Sequence, residues 1–195
     1  AHAFGTVVRP EEIPCHGIGS LKRGDIAYGA ERGWTVRLVA SATVRKGRLV
    51  AHVLPAFVPG TDGFAHVRDE HNAVRITGTH TGEHLLQGKG AGRLPTGLAV
   101  LSDVQRLVRG GGYAYAKVKP DAPCLSRAGD RIRVYLRIPV THQEVLARFD
   151  EVHKVHAADG HVQVEGLIQL EELRELLGEG REGFQSIVLP HLSAK

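Results

Sequence analysis

The sequence predicts an α+β fold: a mostly antiparallel sheet with helices on one face, followed by a small βαββαβ unit. Three observations carry this. Apolar residues alternate with polar ones from Trp34 to Val44, a turn signal follows at Arg45-Lys46-Gly47-Arg48, and leucines and valines recur at helical spacing after Pro95. The chain has 195 residues, 42% hydrophobic and 24% charged, enough for one or two domains with a real core. Its 24 Gly and 9 Pro are dispersed, which excludes a low-complexity linker or a collagen-like chain.

The elements follow in order. Ser20 to Arg32 reads as a short helix with Leu21, Ile26, Ala27 and Ala30 toward one side, stopped by Gly33. Trp34, Val36, Leu38, Ala40, Ala42 and Val44 then form the apolar face of a half-buried strand. Leu49 to Leu54 is its returning partner, ended by Pro55, and Pro59-Gly60-Thr61-Asp62-Gly63 is a surface loop. Asn72–Thr77 and Glu83–Gln87 make a second hairpin around Thr81-Gly82. A glycine-rich loop leads into a helix from about Thr96 to Arg109, marked by Leu98, Leu101, Val104 and Leu107/Val108 and ended by Gly110-Gly111-Gly112. Tyr113–Val118 reads as a possible further strand of this first part.

The last third changes rhythm. Arg131–Pro139 alternates as a strand, Gln143–Val152 reads as a helix, and His153–Val155 begins a second strand. Asp159-Gly160 is a turn, His161–Ile168 a strand, Leu170–Leu177 a helix and Phe184–Leu189 a final strand. This β-α-β-β-α-β order is that of a ferredoxin-like unit. The expected division is therefore 1–112 and 113–195, and no internal repeat is visible.

Charge narrows the partners. Twenty-five Lys+Arg against 21 Asp+Glu give +4, scattered without a basic block, so no nucleic-acid partner is expected. No apolar run approaches the roughly 20 residues of a membrane span, and no secretory signal is visible, so a cytoplasmic protein is expected. Cys15 and Cys124 are far apart and outside any CxxC pair, which predicts buried thiols, although spacing alone leaves a bridge open. The chain has no Met and opens on Ala1-His2-Ala3-Phe4, which predicts a fragment or processed product.

The most informative segment is Gly88-Lys89-Gly90-Ala91-Gly92, with Pro95-Thr96 in the following helix start. Glycines there put unhindered backbone N–H groups beside a helix N-terminus, a setting that suits a phosphate or another electron-rich group. The spacing is neither GxGxxG nor GxxxxGK[ST], and a loop whose glycines only turn the chain remains an equal alternative from these residues alone. Twelve histidines include His80/His84 and His153/His156/His161, but none falls in a metal-ligand pattern, and no metal is expected. Ser102 and Asp103 lack the GxSxG setting of a nucleophile elbow.

Gly88 to Asp103, GKGAGRLPTGLAVLSD, closely resembles the GxGAGxxPTxxAVxxD motif of homoserine dehydrogenases. Gly17-Ile18, Asp25-Ile26, Ala30, Trp34–Ala40, Val53-Leu54-Pro55, Val58-Pro59 and Asn72-Ala73-Val74 resemble the family's later substrate-domain blocks, in order, over residues 1–109. The resemblance implies an NAD(P)-dependent oxidoreductase interconverting L-homoserine and L-aspartate 4-semialdehyde in threonine and methionine biosynthesis. It also implies a homodimer joined through the substrate-domain sheets, with Gly88, Lys89, Gly90, Ala91, Gly92 and Thr96 facing the nicotinamide end of the cofactor. The family's dinucleotide-binding domain and its catalytic Glu, Asp and Lys run would precede Ala1, so no residue here is assigned a catalytic role and the chain alone is expected to be inactive. The tail resembles an ACT regulatory domain, but Val140-Thr141-His142-Gln143-Glu144 replaces the usual Asp-x-Pro-Gly-type turn, so effector binding is not expected. The alternative reading is a stand-alone, non-catalytic module of the same descent that binds an amino acid.

Overall fold

The computed structural model describes residues 3–112, 117–126, 129–158, 160–178 and 183–190. The elements are α1 (Arg23–Ala30), β1 (Trp34–Arg45), β2 (Arg48–Pro59), β3 (His71–Gly78), β4 (Gly82–Lys89), α2 (Arg93–Val108), β5 (Arg131–Pro139), β6 (Phe149–Ala158), β7 (His161–Gln169), α3 (Leu170–Gly178) and β8 (Gln185–Val188). Short 3-10 segments occupy Pro10–Glu12, Gly63–His66 and Val140–Arg148. The chain divides into two compact units, one formed by Ala1–Pro59 with Lys117–Lys195 and the other by Gly60–Ala116.

The first unit is built on a six-stranded sheet of order β1-β2-β8-β5-β7-β6. Neighbours pair antiparallel except for β2 and β8, which run parallel at Ala56↔Val188. Lys46 (φ 48°) and Gly47 (φ 74°) form the two-residue turn between β1 and β2, both in the left-handed conformation that matches the twist of a tight hairpin. Compactness groups the chain differently from the 112/113 division of the sequence, because β8 sits between β2 and β5 and joins both ends of the chain into one sheet.

Adjacent residues of β5 point to opposite faces and feed two cores. Val134, Leu136 and Ile138 join Leu54, Val145, Val162, Val164, Ile168, Leu173, Leu176 and Phe184, so α3 and the 3-10 segment close one face. Tyr135 joins Tyr28, Phe57, Ile187 and Leu189, with Trp34 partly buried beside them, so α1 closes the other. Phe57 and Tyr135 meet edge-on at 5.7 Å.

Four local expectations change. The expected helix over 143–152 is a 3-10 segment over 140–148 interrupted at His142 (φ −119°, ψ 34°), and Phe149–Val152 already belong to β6. β6 pairs with β7 through two register shifts, and such bulges break the period of two, leaving a spacing that mimics a helix. The second strand does not end at Pro55. Val53 directs its N–H to Pro14 and accepts from His16 (2.9 Å each), away from β1, and Pro55 two residues on has the same facing, so the missing donor removes no bond to β1. On α1 the buried residues are Asp25, Tyr28 and Gly29 rather than Ile26, Ala27 and Ala30. On β1, Leu38, Ala40, Ala42 and Val44 are exposed, while Trp34 and Val36 pack inward.

The second unit holds the β3–β4 hairpin, with register Asn72↔Gly88 and Ile76↔His84, and α2. Arg75 anchors it, pairing with Asp62 and Glu83 and lying over the Phe64 ring at 4.4 Å. The Arg75 hydrogen bond holds the Asp62 carboxyl below its ordinary range. The possible strand over Tyr113–Val118 lies largely outside the described residues.

Candidate functional site

Gly88, Lys89, Gly90, Ala91, Gly92 and Thr96 lie on one continuous path that ends β4 and opens α2. Its conformation is imposed by the start of β3. The Glu70 carbonyl accepts from the N–H groups of both Gly90 (2.9 Å) and Ala91 (3.3 Å), and the Glu70 carboxylate pairs with Lys89 Nζ at 2.8 Å. That hydrogen bond raises the Lys89 pKa and lowers that of Glu70. Lys89 is thus an ion-paired surface cation and not a poised base.

The glycines differ in what they do. At Gly90 a Cβ would fall 1.8 Å from Asn72 Nδ2, so the Asn72 side chain lies directly over this backbone. Gly92 has φ +108°, a conformation L-residues avoid, and at Gly88 a Cβ would meet nothing within 4 Å. Gly92 is also the N-cap of the 16-residue α2 and brings no side-chain cap, where Ser, Thr, Asp or Asn is usual. The Thr96 N–H bonds back to the Gly92 carbonyl at 3.1 Å. Two of the backbone donors expected to be open are therefore engaged by Glu70, and the N–H groups at the start of α2 form the part of the path suited to an electron-rich group.

None of the residues of α2 is buried. Leu94, Leu98, Leu101, Val104 and Val108 form an apolar stripe at helical spacing, with Leu98 65% and Leu101 64% exposed. Val74, Ile76 and Leu86 are also exposed on the hairpin. A helix with this pattern belongs against another apolar surface.

The first unit contains a polar cluster that periodicity did not reveal. Asp25 is 0% and Arg137 4% exposed. Arg137 Nε donates to both Asp25 oxygens at 2.9 and 3.1 Å, and its terminal nitrogens donate to the carbonyls of Gly183 (2.8 Å) and Ser20 (2.7 Å). Asp25 also accepts from Tyr135 Oη at 2.7 Å and from the Lys22 N–H at 2.8 Å. Burial, then the hydrogen bond to Asp25, keeps the Tyr135 phenol protonated far above its usual range. Beside this cluster Ser20 Oγ donates to Gln185 Oε1 at 2.7 Å and lies 3.3 Å from His16 Nε2. Every strong donor and acceptor here is matched, so the cluster acts as a clamp between α1 and β5.

Other candidates carry less chemistry. A cleft of about 290 Å³ beside β1 and β2 is lined mostly by apolar side chains, including Val8, Ile13, Ala42 and Val53. Among the described residues no three His, Cys, Asp or Glu side chains gather into a metal cage. Cys15 and Cys124 are free thiols, and both are exposed rather than buried, because they lie on the strips that bridge to β2 at Val53 and Leu49. Among the described residues no helix is long and apolar enough to cross a membrane.

Comparison with known proteins decides the ancestry. Residues 1–105 match the family described as homoserine dehydrogenase. The chain belongs to that family. The homoserine dehydrogenase of Synechocystis is 36% identical over 109 residues, covering 54% of this chain and 25% of the relative. That of Bacillus subtilis is 27% identical over 184 residues, covering 89% of this chain and 42% of the relative. The crystal structure of the Thiobacillus denitrificans homoserine dehydrogenase superposes on 90% of this chain and 47% of its own length, with TM-score 0.60 and 25% identity. The Staphylococcus aureus enzyme gives TM-score 0.59 at 21% identity, a likeness of fold. The chain thus spans a quarter to a half of these relatives. Asp25 and Asn72 stand in blocks that already resembled the family, but what they touch was not readable from sequence. Glu70 stood in none.

Proposed function

We propose that this chain supplies the later part of a homoserine dehydrogenase, which interconverts L-homoserine and L-aspartate 4-semialdehyde with NAD(P) in threonine and methionine biosynthesis. The observation that carries the reading is the family match reaching through the glycine path into α2, where a side-chain cap is missing and an apolar stripe is uncovered. The nicotinamide, when bound, exchanges hydride with the substrate carbon. In this reading Gly88–Gly92 and Thr96 form one wall at the nicotinamide end, with the open backbone at Gly88 and the start of α2 allowing close approach. The α2 stripe packs on the dinucleotide-binding part of the enzyme.

Partners follow the same line. β1 is a twelve-residue edge strand whose Leu38, Ala40, Ala42 and Val44 are exposed, a surface suited to pairing across a twofold axis into a homodimer. The tail is ACT-like in its strand order, and its first connection is a 3-10 segment held against the core by Val145, which favours a structural role over effector binding. A cytoplasmic location fits this chemistry. The alternative of a free-standing amino-acid-binding module leaves the α2 stripe without a purpose.

Turnover tests the reading. The complete enzyme containing this chain should oxidise NADPH only when aspartate 4-semialdehyde is present, and the 195-residue chain alone should not. Turnover by the isolated chain, or indifference of the complete enzyme to the aldehyde, would overturn it.

A further inference from the structure

We propose that Glu70 and Asn72 are positioning residues for the glycine path, a latch on the first residues of β3 that sets how Gly90–Gly92 meets the cofactor; the inference rests on the functional reading above. The second unit holds all of its parts. The turn before β3 is tight, with Asp69 at φ 54° and the His71 N–H bonded to the Arg68 carbonyl at 3.1 Å. This turn aims the Glu70 carbonyl at Gly90 and Ala91, whose N–H groups it takes at 2.9 and 3.3 Å, while the carboxylate of the same residue holds Lys89 at 2.8 Å. One residue thereby fixes three consecutive positions of the path.

Asn72 closes it from the side. The space a Gly90 side chain would need is filled by Asn72, with Nδ2 at 1.8 Å, Cγ at 2.7 Å and Cβ at 3.4 Å from the Cβ position. Glycine at 90 is thus a matter of fit to Asn72, whereas glycine at 92 is a matter of φ. With Gly90 and Ala91 tied to Glu70, the chain can leave the latch only through Gly92, so the direction of the α2 N-terminus is inherited from residues 70–72. Placement errors of about 1 Å at a cofactor wall are enough to change turnover by orders of magnitude.

The geometry predicts a compensating pair. Gly90→Ala alone drives a methyl into the Asn72 amide; with Asn72→Ala the nearest remaining atom of that residue is the Cβ, 3.4 Å away, an ordinary contact. In the complete enzyme, Gly90→Ala should raise the KM for NAD(P) by about tenfold or more, and Gly90→Ala/Asn72→Ala should return it to within about twofold of Asn72→Ala. A double variant as impaired as Gly90→Ala would overturn the proposal, as would a KM unchanged in Gly90→Ala. Amide hydrogen exchange on the 195-residue chain provides the independent arm. Gly90 and Ala91 should be protected in the wild type and lose protection in Gly90→Ala, and equal exchange in both would overturn the latch whatever the enzyme does. If exchange behaves as expected and the complete enzyme has no homoserine-dependent activity, the functional reading fails and the latch stands as a structural device without a cofactor role.

Discussion

Removing Arg137 should unfold much of what holds the first unit together. The Asp25 carboxylate has no exposed surface and draws on three protein donors: the Arg137 guanidinium, whose Nε approaches both of its oxygens, Tyr135 Oη and the Lys22 N–H. Arg137→Met keeps most of the side-chain volume but leaves a buried carboxylate without its cation and strips the Ser20 and Gly183 carbonyls of their donors. Loss of one partner of a buried pair costs about 3–5 kcal/mol, most of it the penalty of the stranded charge. Asp25→Ala should cost a similar amount for the mirror-image reason. The double variant strands neither charge, so its loss should fall short of the sum by about 2 kcal/mol or more. Urea unfolding of the chain reads this directly: with a slope of about 2 kcal/mol/M, each single variant lowers the midpoint by about 2 M. Single losses below about 1 kcal/mol, or strict additivity in the double variant, would refute the clamp.

Three further outcomes follow from the packing and the histidines. Gly29→Ala puts a Cβ 2.7 Å from the Phe57 ring, and this overpacking between α1 and β2 should cost about 1–3 kcal/mol in a thermal melt. Leu173→Ala, at a fully buried position of α3, should cost about 2–5 kcal/mol, whereas Leu98→Ala on the exposed α2 stripe should stay within about 0.5 kcal/mol in the isolated chain. Burial lowers the pKa of His16 and of His52 from the ordinary 6.5, with Arg45 adding to the effect at His52. Both are thus held neutral by the fold, so the stability they contribute is full above pH 6.5 and is lost as pH falls through their lowered folded-state values; His16→Gln and His52→Gln should flatten that loss in pH-dependent melts.

The parts of the fold that were legible in the sequence are those written in local pattern. The β1–β2 hairpin announced itself through alternation and the Lys46-Gly47 turn, and α2 through its leucine spacing. The Asp25 face of α1 was hidden because a buried charge is scored as surface until its partner, Arg137, is known to stand 112 positions away. The first residues of β6 carry a helix-like spacing because its bulges break the period of two. The pairing of Ala56 with Val188 has no local signature at all, and it is this pairing that merges the two ends of the chain into one sheet. At the candidate site the glycine path was legible as a motif, while Glu70 and Asn72 were not, since a carbonyl acceptor and a side chain filling a glycine's empty space leave no spacing to read.

If the path from Gly88 to Thr96 serves a homoserine dehydrogenase, turnover depends on the backbone conformation at Gly92. In the complete enzyme, homoserine-dependent reduction of NAD(P) should be present in the wild type and fall by about a hundredfold or more in Gly92→Val, where a β-branched side chain cannot hold φ +108°. The absence of homoserine-dependent reduction in the wild type, or its persistence undiminished in Gly92→Val, would rule out a role for this path in that reaction.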